Sequence, residues 1–471
     1  IKAYDVRGLV PQQLNDAVAF SIGSAFARVV ARPDGATAIV IGHDMRQSSP
    51  GLSRAFAAGV AAQGLDVMLI GLCSTDGLYY ASGALDMPGA MFTASHNPAQ
   101  YNGIKLCRSG ARPVGQDTGL TQIRDLAQSL LDSGSPSTMQ AAPGTISERD
   151  VLADYAQFLR GLVDLRELRP LTVVVDAGNG MGGHTVPAVL GTQAALPVLP
   201  LTVIPLYFEL DGAFPNHEAN PLNPENLRDL QAAVIAHGAD LGLAFDGDAD
   251  RCFVVDERGE PVSPSAITAL VGTREVAKER AAGRPRPTIV YNVISSAAVP
   301  ELIGEAGGTA VRTRVGHSFI KGEMARVQAV FGGEHSAHYY FRDFWFADTG
   351  MLAAMHVLAA LGEQSRPLSE LVAGFSRYVA SGEINSTVAD ARVATADVRA
   401  WAQELARDQG QQVEFDELDG MTVTHLGDPM WWFNLRASNT EPLLRLNVEA
   451  TDESTMERVR DDVLWIVRGE S

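Results

Sequence analysis

The chain has 471 residues, which sets a prior of about three domains, and its 46% hydrophobic and 20% charged residues exclude wholesale disorder. Lys and Arg number 37 against 56 Asp and Glu, a net charge of −19. That balance argues against nucleic acid or an anionic membrane surface as partner, and it requires any anionic small molecule to be met by cations gathered locally.

Three cysteines, Cys73, Cys107 and Cys252, form no disulfide framework and point to a reducing, cytoplasmic compartment. No secretory leader pattern opens the sequence. The one long uncharged stretch, 185–208, holds Pro187, Pro197, Pro200 and Pro205, which a membrane-spanning helix does not tolerate together; buried strand with turns is expected there.

In chain order, short apolar runs at 37–41, 67–70 and 90–92 read as strands, with alanine-rich helices at 14–31 and 51–63 between them. This alternation predicts a largely parallel sheet covered on both faces. The pattern recurs with strands at 171–175, 203–208 and 239–245, and again at 288–292, 309–313 and 329–331. A Ser/Pro/Gly-rich break at 133–145 and a polar turn after Val255 separate the copies. The last segment reads differently: strand 383–388, helix 395–408, strands 412–417, 421–425, 430–437 and 443–450, then helix 454–467. Strands joined by tight turns, with helices set apart, predict a small α+β unit. The expected architecture is three tandem, similar α/β domains with mixed, mostly parallel sheets at 1–144, 145–257 and 258–377, followed by a smaller α+β domain at 378–471.

The strongest local signal is Asp246-Gly247-Asp248-Ala249-Asp250-Arg251, directly after an apolar run. Three carboxylates at alternate positions repel one another unless they surround a hard divalent cation, and Mg²⁺ is the natural ion where phosphate oxygens complete the shell. An EF-hand would need Gly where Arg251 stands and helices where strands are expected, although Glu257 falls at its twelfth position. A solvated acidic turn is the plainer alternative.

A second signal is Thr93-Ala94-Ser95-His96-Asn97-Pro98, again after a strand. Asn-Pro breaks the element and leaves Ser95 on a loop at the carboxyl edge of the sheet. Neighbours in an extended chain point to opposite faces, so Ser95 and His96 are not expected to pair. Alone, the hexamer reads as a turn with a hydroxyl cap. Beside a three-carboxylate metal loop, Ser95 becomes a candidate carrier of a phosphoryl group.

Gly333-Glu334-His335-Ser336-Ala337-His338 follows a further strand, and its Glu, Ser and His at alternate positions could line one side of a pocket and bind sugar hydroxyls. Upstream, His317 sits in the glycine turn 313–318. In the last unit, Arg436-Ala437-Ser438-Asn439-Thr440-Glu441-Pro442 offers convergent donors for a phosphate dianion, or is a polar turn. Asp176-Ala177-Gly178-Asn179-Gly180-Met181-Gly182-Gly183 satisfies the dinucleotide pattern, with Glu209 downstream at too long a spacing; a close-packed strand-to-helix turn is the competing reading. Arg7 and Lys105 are cations near the Ser95 unit.

The motifs at 4–8 (YDVRG), 93–98, 246–251, 333–338 and 436–442, in this order and spanning nearly the whole chain, resemble those of the α-D-phosphohexomutases, specifically the bacterial phosphomannomutase/phosphoglucomutase branch. The resemblance implies three α/β domains and a fourth α+β domain around a central cleft, with closure of the fourth domain to exclude water. It implies phosphorylated Ser95, with Ser95, Asp246, Asp248 and Asp250 at Mg²⁺. Glu334 and Ser336 would bind sugar hydroxyls, Arg436, Ser438, Asn439 and Thr440 the distal phosphate. Arg7, His96, Lys105, Arg251, His317 and His338 match positions lining the cleft, with Lys105 first and His317 second as general base.

One departure stands out: many members carry Met and Gly where this chain has His335 and Ala337. The implied reaction interconverts hexose 1- and 6-phosphates, mannose first and glucose as the alternative, through a hexose 1,6-bisphosphate that also serves as activator, in a monomer or weak dimer. A metal-dependent phosphohydrolase and a nicotinamide-dependent dehydrogenase are the rivals.

Overall fold

The computed structural model describes residues 5–133, 142–408, 412–437 and 443–469. Most of the 133–145 break, Tyr4, and Ser438 through Pro442 lie outside them. The chain divides into two compact units, Ile1–Pro264 with Ser336–Leu371, and Ser265–His335 with Val372–Ser471.

The first unit holds two mixed sheets. In one, the strand order is Val6–Leu9, Tyr101–Arg108, Gly89–Phe92, Ala38–His43, Asp66–Leu72, Ile146–Glu148, with Arg112–Pro113 paired to the end of Tyr101–Arg108. The strands from Gly89–Phe92 to Ile146–Glu148 are parallel, and Tyr101–Arg108 and Val6–Leu9 add antiparallel. Ile39, Val40 and Ile41 are each no more than 1% exposed, as a central parallel strand covered on both faces requires.

The covering helices Asp16–Phe26 and Ser49–Ala61 cross backbone to backbone. A Cβ on Gly23 would stand 2.3 Å from Phe56 O, and one on Gly59 would stand 2.1 Å from Phe20 O, so only glycine fits at either crossing point. The predicted helix 14–31 is found as this α-helix continued by five π-helical residues, Ala27–Ala31.

From Ala38–His43 the chain moves to one neighbour, Asp66–Leu72, and then returns to the other side, at Gly89–Phe92. The loops leaving the carboxyl ends of Ala38–His43 and Gly89–Phe92 therefore face each other at the topological switch point, where α/β sheets open a crevice.

The second sheet runs Pro261–Val262, Cys252–Asp256, Leu241–Phe245, Leu171–Asp176, Leu201–Leu206. Leu241–Phe245 and Cys252–Asp256 form an antiparallel hairpin whose last pair is Phe245 with Cys252, so residues 246–251 are its loop. Helix Gly182–Val189 follows Leu171–Asp176. The uncharged stretch is thus part helix rather than strand and turns alone: Pro187 sits inside that short helix, and the strand begins only at Leu201. The unit also contains the hairpin Tyr339–Phe341 with Ala347–Asp348 and the helix Gly350–Gly362, all thirteen residues of which are buried.

In the second unit, Thr309–Thr313, Thr288–Asn292 and Phe331–Gly333 are parallel. A wholly antiparallel sheet follows, in the order Val379–Thr387, Leu443–Ala450, Trp431–Ala437, Met421–His425, Val413–Asp416. Its apolar face packs Trp431, Phe433, Leu435, Leu444, Leu446 and Val448 against Val398 and Ala402 of helix Ala391–Asp408 and Val459 and Val463 of helix Glu453–Arg468. Among the described residues no helix is long and apolar enough to cross a membrane.

Candidate active site

Strand Gly89–Phe92 delivers Ser95 onto a tight loop. The Thr93 hydroxyl accepts the Ser95 N–H at 2.9 Å, Asn97 N donates to Ala94 O at 3.0 Å, and Ser95 takes a left-handed φ of +49°. Its hydroxyl donates to Asp246 Oδ2 at 2.8 Å. The expectation that Ser95 and His96 diverge is corrected: the left-handed turn replaces the extended conformation on which it rested, and Ser95 Oγ lies 3.2 Å from His96 Nδ1. Burial, then Arg251 and Arg7, push the His96 imidazole down to about 3, so it is neutral near pH 7. Arg251 Nη2 lies 2.6 Å from His96 Nδ1, which makes that nitrogen the acceptor.

The hairpin loop supplies the carboxylates. One ligand oxygen from each of Asp246, Asp248 and Asp250 can be chosen so that all lie within 4.8 Å of one another, and all three residues are no more than 1% exposed. Arg251 reaches back to Asp246 Oδ2 through Nε at 3.0 Å and Nη2 at 2.8 Å. Lys105, from strand Tyr101–Arg108, places Nζ 2.7 Å from Asp248 Oδ2 and 2.5 Å from Asp250 Oδ2. Burial raises Asp246 against the pull of Arg251. Burial would raise Asp248 and Asp250 too, but chiefly Lys105 brings both below the ordinary carboxylate range. Burial disfavours the Lys105 ammonium, yet Asp248 and Asp250 outweigh it and hold it charged.

The trio fits a hard cation. Asp248 Oδ1 and Asp250 Oδ1 are buried without a hydrogen-bond partner among the described residues, an arrangement that costs free energy unless a metal fills it. An all-oxygen set suits Mg²⁺ or a similar ion. The flanks are strands, so the EF-hand reading falls away.

Other predicted residues join in the same unit. Arg7 Nη1 donates to Ala94 O at 3.3 Å and pairs with Asn97 Oδ1, while Nη2 bonds Asp5 Oδ2 at 2.5 Å. His338 Nε2 stands 3.7 Å from Asp250 Oδ1, and its Nδ1 meets Ser336 Oγ at 2.9 Å. Ala337, at φ +64°, breaks the extended chain that strict alternation of Glu334, Ser336 and His338 on one side would need.

In the second unit, Glu334 is 2% exposed, and its Oε2 accepts from Gly316 N at 3.2 Å and Asn292 Nδ2 at 3.3 Å. His317 opens helix His317–Val327 one residue after Gly316, so the two motifs adjoin. His335 Nδ1 meets Ser265 Oγ at 3.0 Å. Arg436, near the end of strand Trp431–Ala437, lies 3.4 Å from Glu383 and 3.7 Å from Asp419, whose Oδ2 also accepts from Val315 N at 2.9 Å. Ser438, Asn439 and Thr440 are outside the described residues.

The glycine-rich turn after Asp176 is filled by the chain itself. A Cβ on Gly180 would sit 2.7 Å from Gly247 O, and Met181 N donates to that carbonyl at 2.9 Å. A Cβ on Gly247 would in turn sit 2.4 Å from Ser95 O. The turn seats the carboxylate loop, which is seated against the serine loop. The three cysteines are free and buried.

Two contributors escaped the motif reading. The Thr75 hydroxyl donates to Asp248 Oδ2 at 2.6 Å and its N–H to Asp248 O at 3.0 Å, holding that carboxylate from the first sheet. Arg46 is 1% exposed and donates to four backbone carbonyls of the serine loop. The signal available for Arg46 was Asp44-Met45-Arg46, charge directly after an apolar strand, the same grammar that flagged Ser95 and Asp246.

Comparison with known proteins agrees with this geometry. Residues 1–131, 153–259 and 263–378 match the phosphoglucomutase/phosphomannomutase alpha/beta/alpha domains I, II and III, and 383–465 match the C-terminal domain. The chain is 40% identical over 472 residues to a protein named phosphohexose mutases from Xanthomonas campestris pv. campestris, covering 99% of each. It is 38% identical over 472 residues to a phosphomannomutase of Escherichia coli, covering 99% of this chain and 98% of that one. A solved phosphoglucomutase/phosphomannomutase family protein from Burkholderia thailandensis superposes with a TM-score of 0.83 at 31% identity, covering 99% of this chain and 96% of the other. Its four matched domains and these full-length relatives make this chain a member of the phosphoglucomutase/phosphomannomutase family.

Proposed function

We propose that the chain is a phosphohexomutase that interconverts mannose 1-phosphate and mannose 6-phosphate, and glucose phosphates as well, through phosphorylated Ser95. The carrying observation is the Ser95 hydroxyl 2.8 Å from Asp246 within a buried trio of carboxylates. A hydroxyl alone is a weak nucleophile, and three carboxylates alone are repulsive; together they make a seat for a phosphoryl group and its counter-ion.

In this reading phospho-Ser95 transfers its phosphoryl group to the free hydroxyl of a hexose monophosphate. The P–O bond to Ser95 breaks as that to the sugar forms, and the hydroxyl proton passes to a base. The hexose 1,6-bisphosphate turns end for end, and Ser95 takes back the other phosphoryl group. Mg²⁺ held by Ser95, Asp246, Asp248 and Asp250 would neutralise charge on the phosphoryl oxygens. Arg7, Arg251, His96 and His338 surround and orient the serine and the trio. Glu334 and Ser336 bind sugar hydroxyls, and Arg436 with Ser438, Asn439 and Thr440 grips the phosphate that is not reacting. Added 1,6-bisphosphate acts as activator by rephosphorylating Ser95.

Lys105 and His317 are the candidates for the proton; Asp248 and Asp250 hold Lys105 as an ammonium, so it accepts a proton only when a cation takes over those carboxylates. A pH–rate profile separates them: an imidazole acceptor places the acid limb near about 6.5, and an amine places it well above. The decisive experiment is a coupled assay on mannose and glucose 1-phosphates, run with free-phosphate detection and with intact mass before and after phosphatase treatment. Isomerised product together with a phosphatase-sensitive mass on Ser95 supports the mutase. Free phosphate released as fast as sugar is isomerised would identify a phosphohydrolase.

A further inference from the structure

Ser95 holds a left-handed backbone conformation, φ +49°, that residues other than glycine rarely adopt. Such a conformation persists only where its surroundings impose it. The imposing group is behind the loop. Arg46 Nη2 donates to Ser95 O at 2.8 Å and Asn97 O at 2.7 Å, and Nη1 donates to Pro98 O and Tyr101 O at 3.0 Å each. Its Nε lies 3.2 Å from Asp44 Oδ2, whose residue is fully buried.

The rest of the guanidinium is equally confined. Its Cζ lies over the Phe214 ring, 5.1 Å from the centroid, and Gly212 lies against its stem, where a Cβ would come within 2.7 Å of Arg46 Cα. Asp44 is itself fixed, since its Oδ1 accepts from Arg46 N at 3.0 Å and from the Ser49 hydroxyl at 2.6 Å. Arg46 is 1% exposed, and both of its terminal nitrogens are taken up by backbone carbonyls.

Four carbonyl oxygens drawn to one point repel one another unless a multiply donating cation sits there. Arginine's planar fork meets four acceptors at once, which a lysine ammonium with three donors on one atom cannot do. Anchoring the Ser95 carbonyl on one side leaves its hydroxyl directed to Asp246 on the other.

We propose that Arg46 is a positioning residue for phosphoryl transfer: by gathering the carbonyls of Ser95, Asn97, Pro98 and Tyr101 it imposes the left-handed turn that aims the serine oxygen at the carboxylate trio. The inference rests on the mutase reading above. It assigns Arg46 no contact with substrate, so its loss acts on the turnover step and not on the grip on hexose phosphate.

The test uses the full-length enzyme with glucose 1-phosphate, comparing the parent with Arg46→Lys and Arg46→Met in kcat, KM and melting temperature, and Arg46→Ala with and without added guanidinium. Misplacement of a reacting group by about 1 Å costs about 10²-fold, so Arg46→Met is expected to lose about that factor in kcat while KM stays within about threefold. Arg46→Lys falls between, and free guanidinium restores part of the Arg46→Ala rate. A purely structural arginine would lower the melting temperature without this split. Should Arg46→Met fail to fold, Arg46→Lys decides. An active parent whose Lys and Met variants both keep kcat within about threefold, or lose KM instead, overturns the positioning role. A parent that isomerises no hexose phosphate takes down the mutase reading, and this inference with it, before any variant is made.

Discussion

The hydroxyl of Ser95 donates a 2.8 Å hydrogen bond to Asp246 across 151 residues of sequence, joining the loop of one sheet to the hairpin of the next. On the proposed reading, removing that oxygen removes both the phosphoryl carrier and one candidate metal ligand. Ser95→Ala is therefore expected to reduce mutase turnover by about 10⁴-fold or more. A coupled assay on either hexose 1-phosphate checks this, and activity within about tenfold of the parent takes Ser95 out of the reaction.

Gly247 is where the two loops touch. A methyl group there would stand 2.4 Å from Ser95 O, a distance no packed Cβ tolerates, and the obstacle is backbone. Gly247→Ala must push the carboxylate loop away from Ser95 by a few tenths of an ångström or more. A loss of about 10²-fold in kcat is expected, with little change in secondary structure by circular dichroism. Unaltered turnover would show that the spacing of the loops is slack.

Thr75 donates to Asp248 from the start of helix Thr75–Ala84. Partners of this kind orient metal ligands, and their loss typically weakens metal affinity 10–100-fold, by the rough general rule. Thr75→Val is expected to raise the half-activating concentration of Mg²⁺ by about that factor. Titration calorimetry of the cation gives an independent reading, and an unchanged binding curve rejects the assignment.

Arg436 is braced by Glu383 and Asp419 near the end of its strand. A charge-assisted contact to phosphate contributes roughly 1.5–3 kcal/mol, so Arg436→Ala is expected to raise KM by about 10–150-fold. An unchanged KM excludes Arg436 from phosphate docking.

Asp76, outside the carboxylate trio, carries a pH signature of its own. Burial pushes it up to about 6, although Ser74, and Tyr155 and Thr349 at 2.7 Å each, all donate to it. Between its ordinary range and about 6 the folded protein holds a proton that the unfolded chain has lost. Stability contributed by this group is therefore fully present below about pH 4 and falls as pH rises through 6. The shift corresponds to about 3 kcal/mol. Asp246 and Asp44 are also raised by burial and titrate in both proteins, so chemical denaturation from pH 4 to 7 is expected to show a steeper fall in the parent than in Asp76→Asn; parallel curves refute it.

Much of this was legible in the sequence because each reactive loop follows an apolar strand. The strands 288–292, 309–313, 421–425 and 443–450 were read with their observed bounds, since alternation or uninterrupted apolar runs end sharply at turn residues there. Helix Gly350–Gly362 was not read, because burial on every side leaves no polar stripe to mark its period. The meeting of Ser95 with His96 was not legible either: a left-handed serine carries no compositional sign, and the groups that hold its loop, Thr93 and the distant Arg46, come together only in the fold. Glycines 180 and 247 looked like nucleotide-binding or metal-loop punctuation, and their shared role as a contact surface appears only in three dimensions.

The span of these contacts bears on how the protein is made. A ribosome must release the chain through Asp250 before Lys105 meets both of its carboxylates, and about a hundred residues more before Thr349 reaches Asp76. Before Asp250 is made, Ser95 stands without the carboxylates that would hold its counter-ion, since they have yet to be synthesised. On the reading proposed above, phosphate loading of this serine therefore waits until the carboxylate loop has been made.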